Sequence, residues 1–323
     1  MSKDKDSGTP LQKASRQGHH DIVELLVEDG VDVNAQKADE RIPLYFASGR
    51  GNLEVARFLI KSGADVNRRD KRGWTPLQKA VRTGQLDIVQ LLLDHGIGVQ
   101  VRAGNHETPL ILASIGGHLE VSRFLIDHQV NINSVSGRDS TSLRSASSQG
   151  HLKIAELLIE RGAEVDVQNE HQETPLHLAS GERKVEVARL LVKCGSNINS
   201  QGHKGWTQLH SALLNGHLVL VESLLGPGAV VGMRTNSEET PLDLAQENGK
   251  RDVISPLAGR SGYASSTTLK AGPDIGDSSD DRESDSLHSV LEGGHLDMIQ
   301  RLLDHGAEVN ERDELLQYPL EVA

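Results

Sequence analysis

Cysteine is nearly absent from this chain. Of 323 residues only Cys194 is a cysteine, so neither a disulfide framework nor a zinc site built on several thiolates can form within it. No apolar stretch approaches the roughly 18 residues that a membrane-spanning helix needs. The first residues, Met1 to Asp6, are mostly charged and lack the apolar segment of a secretory signal. We therefore expect a protein of the cytoplasm or the nucleus that is neither secreted nor bound to a membrane.

Large aromatic side chains are also scarce, with three Phe, two Trp and three Tyr. A core must therefore be built from Leu, Ile, Val and Ala. The formal net charge is −12 and is unevenly spread. Residues 1–106 carry 16 basic and 14 acidic side chains, whereas residues 107–323 carry 18 basic and 32 acidic ones. The chain as a whole is too acidic for a general nucleic-acid binder, and no nucleic-acid partner is expected.

A repeat of 33 residues runs along the chain and overrides any domain count based on length. Its first mark is Thr-Pro-Leu or a close variant, and its second is an alanine four residues after the proline position. The tripeptides begin at residues 9, 42, 75, 108, 141, 174, 207 and 240, and after a step of 45 residues they return at 285 and 318. The alanines keep this register from Ala14 to Ala245. The chain is therefore predicted to be an array of similar units.

The residue types of the repeat predict the structure of one unit. Thr followed by Pro is typical of a helix start, because the hydroxyl caps free amide groups and proline suits the first helical position. A glycine such as Gly18 then ends this short helix in a left-handed conformation. A second, amphipathic helix follows and ends at another glycine, such as Gly30. An extended segment with a turn leads to the next unit. Each unit is thus predicted to be a helix, a turn, a helix and a hairpin.

These motifs resemble the ankyrin repeat. Residues 174–179 read Thr-Pro-Leu-His-Leu-Ala and residues 117–121 read Gly-His-Leu-Glu-Val, both close to the family consensus. The resemblance covers residues 9–256 and 285–323. It implies an all-α repeat solenoid of stacked helix-turn-helix units with protruding β-hairpins, and it implies binding of proteins without catalysis. It also implies that histidines at recurring repeat positions, such as His118 and His177, are structural.

The array is predicted to have three parts. Residues 1–257 form about eight repeats, of which the eighth is degenerate because Pro256 falls inside its second helix. Residues 258–284 are an acidic, Ser- and Gly-rich linker or a looped-out insertion. Residues 285–323 are a ninth repeat and the truncated start of a tenth, which indicates either a piece of a larger protein or a gene model that ends early. Ser278 and Ser279 are candidate phosphorylation sites in the linker, and a plain solvated loop is the alternative.

Motifs of catalysis and cofactor binding are missing from the sequence. It has no His-Glu-x-x-His, no phosphate-binding Gly-x-x-x-x-Gly-Lys-Ser/Thr loop and no Gly-x-Ser-x-Gly elbow. Cys194 has no evident base partner in the sequence. We therefore expect no enzymatic activity, no metal or cofactor and no small-molecule substrate.

Candidate binding residues follow from the resemblance, which places partner contacts at the hairpins and at the last turns of the first helices. These positions are basic in the early units and acidic in the later ones. The basic candidates are Arg16, Arg41, Arg50, Arg68, Arg69, Lys71, Arg72 and Arg82. The acidic candidates are Glu170, Glu173 and Glu239. Charges that only keep the hairpins soluble are the alternative interpretation.

Two tryptophans complete the candidate surface. Trp74 and Trp206 each directly precede the threonine of a unit, four repeats apart. An exposed Trp on a binding face is typical of an interaction hot spot, whereas a ring that packs on the neighbouring hairpin has a structural role. The sequence thus predicts a scaffold that binds one or more partner proteins through its concave face. The alternative is a regulatory or sensor array of a larger multidomain signalling protein whose other modules lie outside this chain.

Overall fold

The structure is a computed structural model that describes residues 8–36, 38–137 and 139–247. These residues belong to one compact unit and form fifteen α-helices. The first helices of the successive repeats are α1 (Pro10–Gln17), α3 (Pro43–Arg50), α5 (Pro76–Arg82), α7 (Pro109–Gly116), α9 (Ser142–Gln149), α11 (Pro175–Gly181), α13 (Gln208–Leu214) and α15 (Pro241–Glu247). The second helices are α2 (His20–Glu28), α4 (Leu53–Lys61), α6 (Leu86–Asp94), α8 (Leu119–Asp127), α10 (Leu152–Glu160), α12 (Val185–Lys193) and α14 (Leu218–Leu225).

The predicted all-α repeat architecture is confirmed by this order of paired helices. The predicted break at Pro256, the linker with Ser278 and Ser279, and the ninth repeat lie outside the described residues and stay predictions. The structure therefore describes units one to seven and the first helix of unit eight.

Each first helix begins at the Thr-Pro position of the repeat. The Thr9 hydroxyl accepts a hydrogen bond from the Gln12 amide at 3.1 Å, and the Gln12 side chain accepts one from the Thr9 amide at 2.9 Å. This capping box satisfies donors that a helix start leaves without a partner. Either the threonine or the proline of the Thr-Pro position is enough to begin the helix. α9 begins after Thr141 without a proline, and α3 begins at Pro43 after an isoleucine.

The helix ends adopt the left-handed backbone that the glycine pattern predicts. Gly18 has φ of 80° and its amide donates to the Ala14 carbonyl. Where the sequence replaces a glycine, the backbone keeps this conformation, since φ is 59° at both Gln129 and Arg183. A side chain in this region carries a steric cost that glycine avoids. The stacking of the repeats, not the local residue, therefore sets the shape of these caps.

One continuous apolar core runs through the described units. Each first helix packs on the first helices of its neighbours, and each second helix packs on the second helix of the next unit. The repeated alanine lies in the first helices, which pack on one another, and Ala47, Ala80 and Ala113 are fully buried there. A larger side chain would push the helices apart, which explains why the sequence repeats a small residue every 33 positions.

The hairpins between the units are turns and not strand pairs. No residue of the three described ranges is assigned to a β-strand. In unit three two backbone bonds close the turn, from the Asp70 amide to the Trp74 carbonyl at 2.9 Å and from the Gly73 amide to the Asp70 carbonyl at 2.8 Å. A single further bond joins it to the previous hairpin, from the Lys71 amide to the Asp39 carbonyl at 3.1 Å. One bond between two neighbouring hairpins is too few for a β-ladder, so the predicted hairpins are present only as turns.

Asparagine side chains join consecutive units near these turns. The Asn133 amide group donates to the Gly162 carbonyl at 3.2 Å, and its Oδ1 accepts from the Glu164 amide at 3.0 Å. Asn34 and Asn199 each make the same pair of bonds to the unit that follows their own. Each of these side chains satisfies one carbonyl and one amide of the next repeat and so stabilises the stacking.

We expect Asn133→Ala to lower the free energy of unfolding by about 1–2 kcal/mol, because it removes two hydrogen bonds to the next unit. Asn67 is the matched control, since it has the same repeat position and its side chain makes no inter-unit bond in the described part of the chain. Asn67→Ala should stay within about 0.5 kcal/mol of the wild type. Urea unfolding measures both variants, and equal losses would contradict the role given to Asn133.

Candidate protein-binding surface

The first helices of units one to three bring several of the predicted basic residues together. Arg16 lies in the last turn of α1, Arg50 ends α3 and Arg82 ends α5. Lys79 of α5, which the sequence did not single out, lies among them. Burial lowers the pKa of Lys79, and the positive charges of Arg41, Arg50, Arg82 and Arg16 lower it further. We call Arg16, Arg41, Arg50, Lys79 and Arg82 the cationic cluster.

A glycine in α3 makes room for Lys79. Gly49 has the repeat position that holds Arg16 in unit one and Arg82 in unit three. A Cβ atom on Gly49 would lie 2.5 Å from Cε and 2.8 Å from Cγ of Lys79. The stem of Lys79 therefore lies against the bare backbone of the neighbouring helix, at the repeat position that holds an arginine in units one and three. A glycine flanked in register by two arginines was the sequence signal for this arrangement.

Carboxylates balance the charge of the cationic cluster unevenly. Arg41 is paired, because its guanidinium lies 3.2 Å from Asp39 Oδ2 and donates from Nε to Asp70 Oδ2 at 3.2 Å. In the described ranges no carboxylate lies within salt-bridge distance of Arg50, Lys79 or Arg82. Like charges held this close raise the energy of the free surface. An anion that binds here would relieve that repulsion.

The basic hairpin residues have a different arrangement from the cationic cluster. Arg68 donates to the Gln36 side chain at 2.8 Å, and Arg69 donates to the Gly73 carbonyl at 2.9 Å and to the Arg102 carbonyl at 2.8 Å. Both guanidinium groups thus connect neighbouring hairpins. Lys71 and Arg72 are exposed at the tip of the hairpin that leads into α5 of unit three, which we call the third hairpin. The predicted basic residues therefore divide into hairpin braces, exposed tips and the cationic cluster.

Asp70 organises the third hairpin from inside. Its side chain is only 2% exposed. Oδ1 accepts hydrogen bonds from the amides of Arg72 and Trp74, each at 2.9 Å, and Oδ2 accepts from Arg41. One carboxylate thus fixes the turn and the direction of an arginine from the previous unit. The sequence contained no sign of this role, because Asp70 stands among charged residues that are typical of a solvated turn.

Both predicted tryptophans are half-buried. Trp74 packs against the apolar core and keeps part of its surface in solvent. The ring centroid of Trp206 lies 6.3 Å from that of His210 in the same unit. The Trp206 carbonyl accepts hydrogen bonds from the Gly202 amide at 2.8 Å and from His177 Nε2 at 3.3 Å. Each tryptophan therefore has a structural contact and an open face.

The acidic candidates lie on later hairpins. Glu170 is exposed, and its carboxylate lies 3.6 Å from His171 Nε2. Glu173 accepts from the Asn169 side chain at 2.9 Å, and Glu239 accepts from the Thr235 hydroxyl at 3.4 Å. Glu173 and Glu239 are half-buried, so their hairpins hold them in place. The basic candidates thus lie in units one to three and the acidic candidates in units six and eight.

Sequence profiles of one family match most of the chain. The profile described as ankyrin repeats in three copies matches residues 30–103, 98–169, 143–235 and 176–268. The profile of a single ankyrin repeat matches residues 8–38 and 286–314. The chain is an ankyrin-repeat protein. Ankyrin-repeat domains are in general protein–protein interaction modules and are typically not enzymes.

A solved ankyrin structure is similar to this one. The crystal structure of the human ASB11 ankyrin repeat domain matches with a TM-score of 0.64 and 29% sequence identity. The match covers 69% of this chain and 99% of that chain. No curated protein matches the chain at a significant level. Within the described ranges of this ankyrin array, no helix has the length and apolar character needed to cross a membrane.

Two histidines of the ankyrin array have the structural role that the resemblance implied. The Nδ1 atoms of His177 and His210 accept from the amides of Thr174 and Thr207, each at 3.1 Å. Their Nε2 atoms lie 3.3 Å from backbone carbonyls of the next unit. Burial lowers the pKa of both imidazoles, against weaker opposing effects of these carbonyls. Both side chains therefore complete capping boxes in the neutral form.

We expect acidification to weaken units six and seven through these two histidines. A histidine in the unfolded chain takes up a proton near pH 6.5, whereas the folded state resists protonation of His177 and His210. Their contribution to stability is complete above that pH and is lost as the pH falls through the lowered pKa. Because Gln12 and Gln78 make the same capping boxes in units one and three, His177→Gln/His210→Gln should reduce this loss. Urea unfolding at pH 7.5 and pH 5 tests it.

The control for this experiment is His19→Gln, which changes an exposed histidine outside the capping boxes. It should leave the acid sensitivity of units six and seven in place, because it changes neither capping box. A double variant as sensitive to acid as the wild type would show that the capping histidines are not responsible.

Proposed function

We propose that this ankyrin array is a scaffold that binds a partner protein through its first helices and hairpins, and that units one to three bind an acidic segment of that partner. The observation that carries the proposal is the cationic cluster, in which Arg50, Lys79 and Arg82 lack carboxylate partners among the described residues. A surface that only needs solubility gains more from charges that are spread out than from charges that repel one another.

The charge gradient along the array supports a directional interaction. The basic surface of units one to three is followed by Glu170, Glu173 and Glu239 in units six to eight. Complementary charges on a partner would speed its approach and disfavour the reversed orientation. The partner is thus expected to place its acidic segment over units one to three and a more basic region over the later units.

Trp74 is the proposed apolar anchor of this interface. Its ring is half-buried against the core, so it loses little conformational freedom when a partner covers the open face. It lies directly after the hairpin tip with Lys71 and Arg72. A rigid aromatic ring next to cations is typical of interaction hot spots. Trp206 offers a similar half-buried ring in unit seven, and we propose it as a second contact.

The proposed activity is binding and not catalysis, with no small-molecule substrate, and the proposed location is the cytoplasm or the nucleus. The single thiol, Cys194, is exposed on the surface. An exposed free thiol fits a reducing compartment, where it stays reduced.

Proximity labelling with the full chain identifies the partner, and equilibrium and rate measurements then test the surface. We expect Arg82→Glu to weaken the partner's binding at least about tenfold and Trp74→Ala to cost about 1–2 kcal/mol of binding energy. Salt should mainly slow association, because exposed charges are screened over about 8–10 Å. Arg123→Glu changes an exposed residue of α8 and is the control. A partner indifferent to Arg82→Glu and Trp74→Ala would refute the proposal.

A further inference from the structure

Gly49 and Lys79 form a notch in the cationic cluster. Three consecutive units place Arg16, Gly49 and Arg82 at one repeat position, so a gap lies between two arginines. The stem of Lys79 fills the floor of this gap, since a Cβ atom on Gly49 would lie 3.2 Å or less from three of its carbons. Arg50 follows Gly49 at the end of α3. We define the notch as Gly49, Lys79, Arg16, Arg50 and Arg82.

The charge of the notch exceeds what one carboxylate can balance. Arg50, Lys79 and Arg82 have no carboxylate within salt-bridge distance in the part of the chain that the structure describes. A glutamate or aspartate side chain would bring one negative charge and two acceptor oxygens. A phosphoryl group brings a charge of about −1.5 to −2 and three acceptor oxygens on one centre. A phosphoryl group thus matches the several positive charges of the notch better than a carboxylate does.

The donor types of the notch also suit a phosphoryl group. A guanidinium group presents parallel N–H donors that fit two phosphate oxygens, and such bonds are stronger than those between neutral groups. Lys79 would act as a point charge at the floor of the notch. Arg50 and Arg82 lie in the last turns of consecutive first helices that pack on each other, and both lie close enough to Lys79 for their charges to act on it. The arrangement allows both arginines and the lysine to reach one compact anion.

We propose that the notch at Gly49 binds the phosphoryl group of a phosphorylated residue in the partner protein. This inference rests on the proposed function, because the phosphorylated residue lies in the acidic segment that units one to three bind. It adds a regulatory consequence, since phosphorylation of the partner would then control its association with the array.

Three probes test the ligand class on the full chain by isothermal titration and by the NMR signal of the Lys79 side chain. They are a short blocked peptide with phosphoserine, the same peptide with glutamate at that position, and inorganic phosphate. We expect the phosphoserine peptide to bind at least about tenfold more tightly than either of the others. It should also be the probe that shifts the Lys79 signal most at equal concentration.

Substitutions at two matched glycines test the notch itself. Gly49→Ala displaces the Lys79 stem, and it also replaces a helical glycine by a better helix former. We therefore expect a higher midpoint of thermal unfolding together with phosphoserine-peptide binding that is about tenfold weaker. Gly181 has the same repeat position in α11, and a Cβ atom there would meet nothing within 4 Å. Gly181→Ala should leave the binding unchanged, so a gain in stability alone cannot explain the loss at Gly49.

A second pair of variants removes charge without filling the notch. Lys79→Met keeps the stem over Gly49 and should weaken the phosphoserine peptide about tenfold. Lys13, the exposed equivalent in unit one, provides the control Lys13→Met. Equal binding of the glutamate and phosphoserine peptides would overturn the assignment, as would unchanged binding to Gly49→Ala and Lys79→Met.

Two further results would also overturn the inference. Inorganic phosphate that binds as tightly as the peptide would identify a site for the free ion, and an oligonucleotide that binds more tightly would identify a nucleic-acid site. The proposed function is tested separately, because it predicts that Arg82→Glu weakens the identified partner whether or not that partner is phosphorylated.

Discussion

Ala113→Asp is expected to lower the free energy of unfolding by about 3–5 kcal/mol, because it places an unpaired charge in the interior of the stack. Ala113 is fully buried in α7, which packs on α5 and α9. Neither water nor a cation can reach the new carboxylate unless the first helices separate. Since each unit is stabilised by its neighbours, a defect in unit four weakens the interfaces on both sides.

The free energy of unfolding from urea titration measures the effect, and two variants serve for comparison. Gln90→Asp adds the same charge at an exposed position of α6 and should stay within about 0.5 kcal/mol of the wild type. Ala14→Asp should lie between the two, because unit one contacts a neighbouring described unit on one side only. An effect of Ala113→Asp as small as that of Gln90→Asp would be incompatible with the stacking of the first helices.

Asp70→Ala is expected to cost about 2–3 kcal/mol, because one substitution removes three hydrogen bonds. The amides of Arg72 and Trp74 lose their acceptor, and Arg41 loses the carboxylate that holds its guanidinium. The third hairpin should open, and its amide protons should exchange faster with solvent than those of the other hairpins. Hydrogen exchange and urea unfolding of the same variant measure the local and the global effect.

Asp70→Asn is the matched control for this variant, and the chain itself provides the precedent. At the same repeat position in unit six, Asn169 Oδ1 accepts from the amides of His171 and Glu173 at 2.9 and 2.8 Å. Asp70→Asn should therefore keep the turn closed and lose only the charge opposite Arg41, which Asp39 still contacts, so its cost should be clearly smaller than that of Asp70→Ala. If both variants were equally unstable, the acceptor role of Asp70 would be wrong and its charge would be decisive.

The helices were predictable from the sequence because their signals are local. A threonine at a helix start and a glycine at a helix end act on amides and carbonyls within four residues, whatever the rest of the chain does. The same rules explain why α9 begins correctly after Thr141 without a proline. The predicted β-hairpins are not strands among the described residues, because a ladder needs several bonds between neighbouring turns and the turn of unit three has one backbone bond to the turn before it.

The basic residues of the candidate surface were predictable in number but not in arrangement. The sequence placed Arg68 and Arg82 in one basic stripe, whereas the structure gives Arg68 a bond to the previous hairpin and leaves Arg82 without a carboxylate partner among the described residues. Lys79 was missed because its position depends on Gly49, 30 residues earlier, and on the packing of α5 against α3. Pattern analysis of a single unit has no access to such contacts.

The amino-acid sequence alone determined the repeat length, the helix pairs and the small residue at their contact, since each follows from hydrogen bonds and side-chain volumes within one unit. Only the tertiary structure decided which charges are satisfied. It buried Asp70 beneath a turn, joined the hairpins through Arg69, and placed Lys79 over Gly49 among four arginines. The physical reason is that electrostatic pairing depends on distances between side chains of different units, and stacking sets those distances.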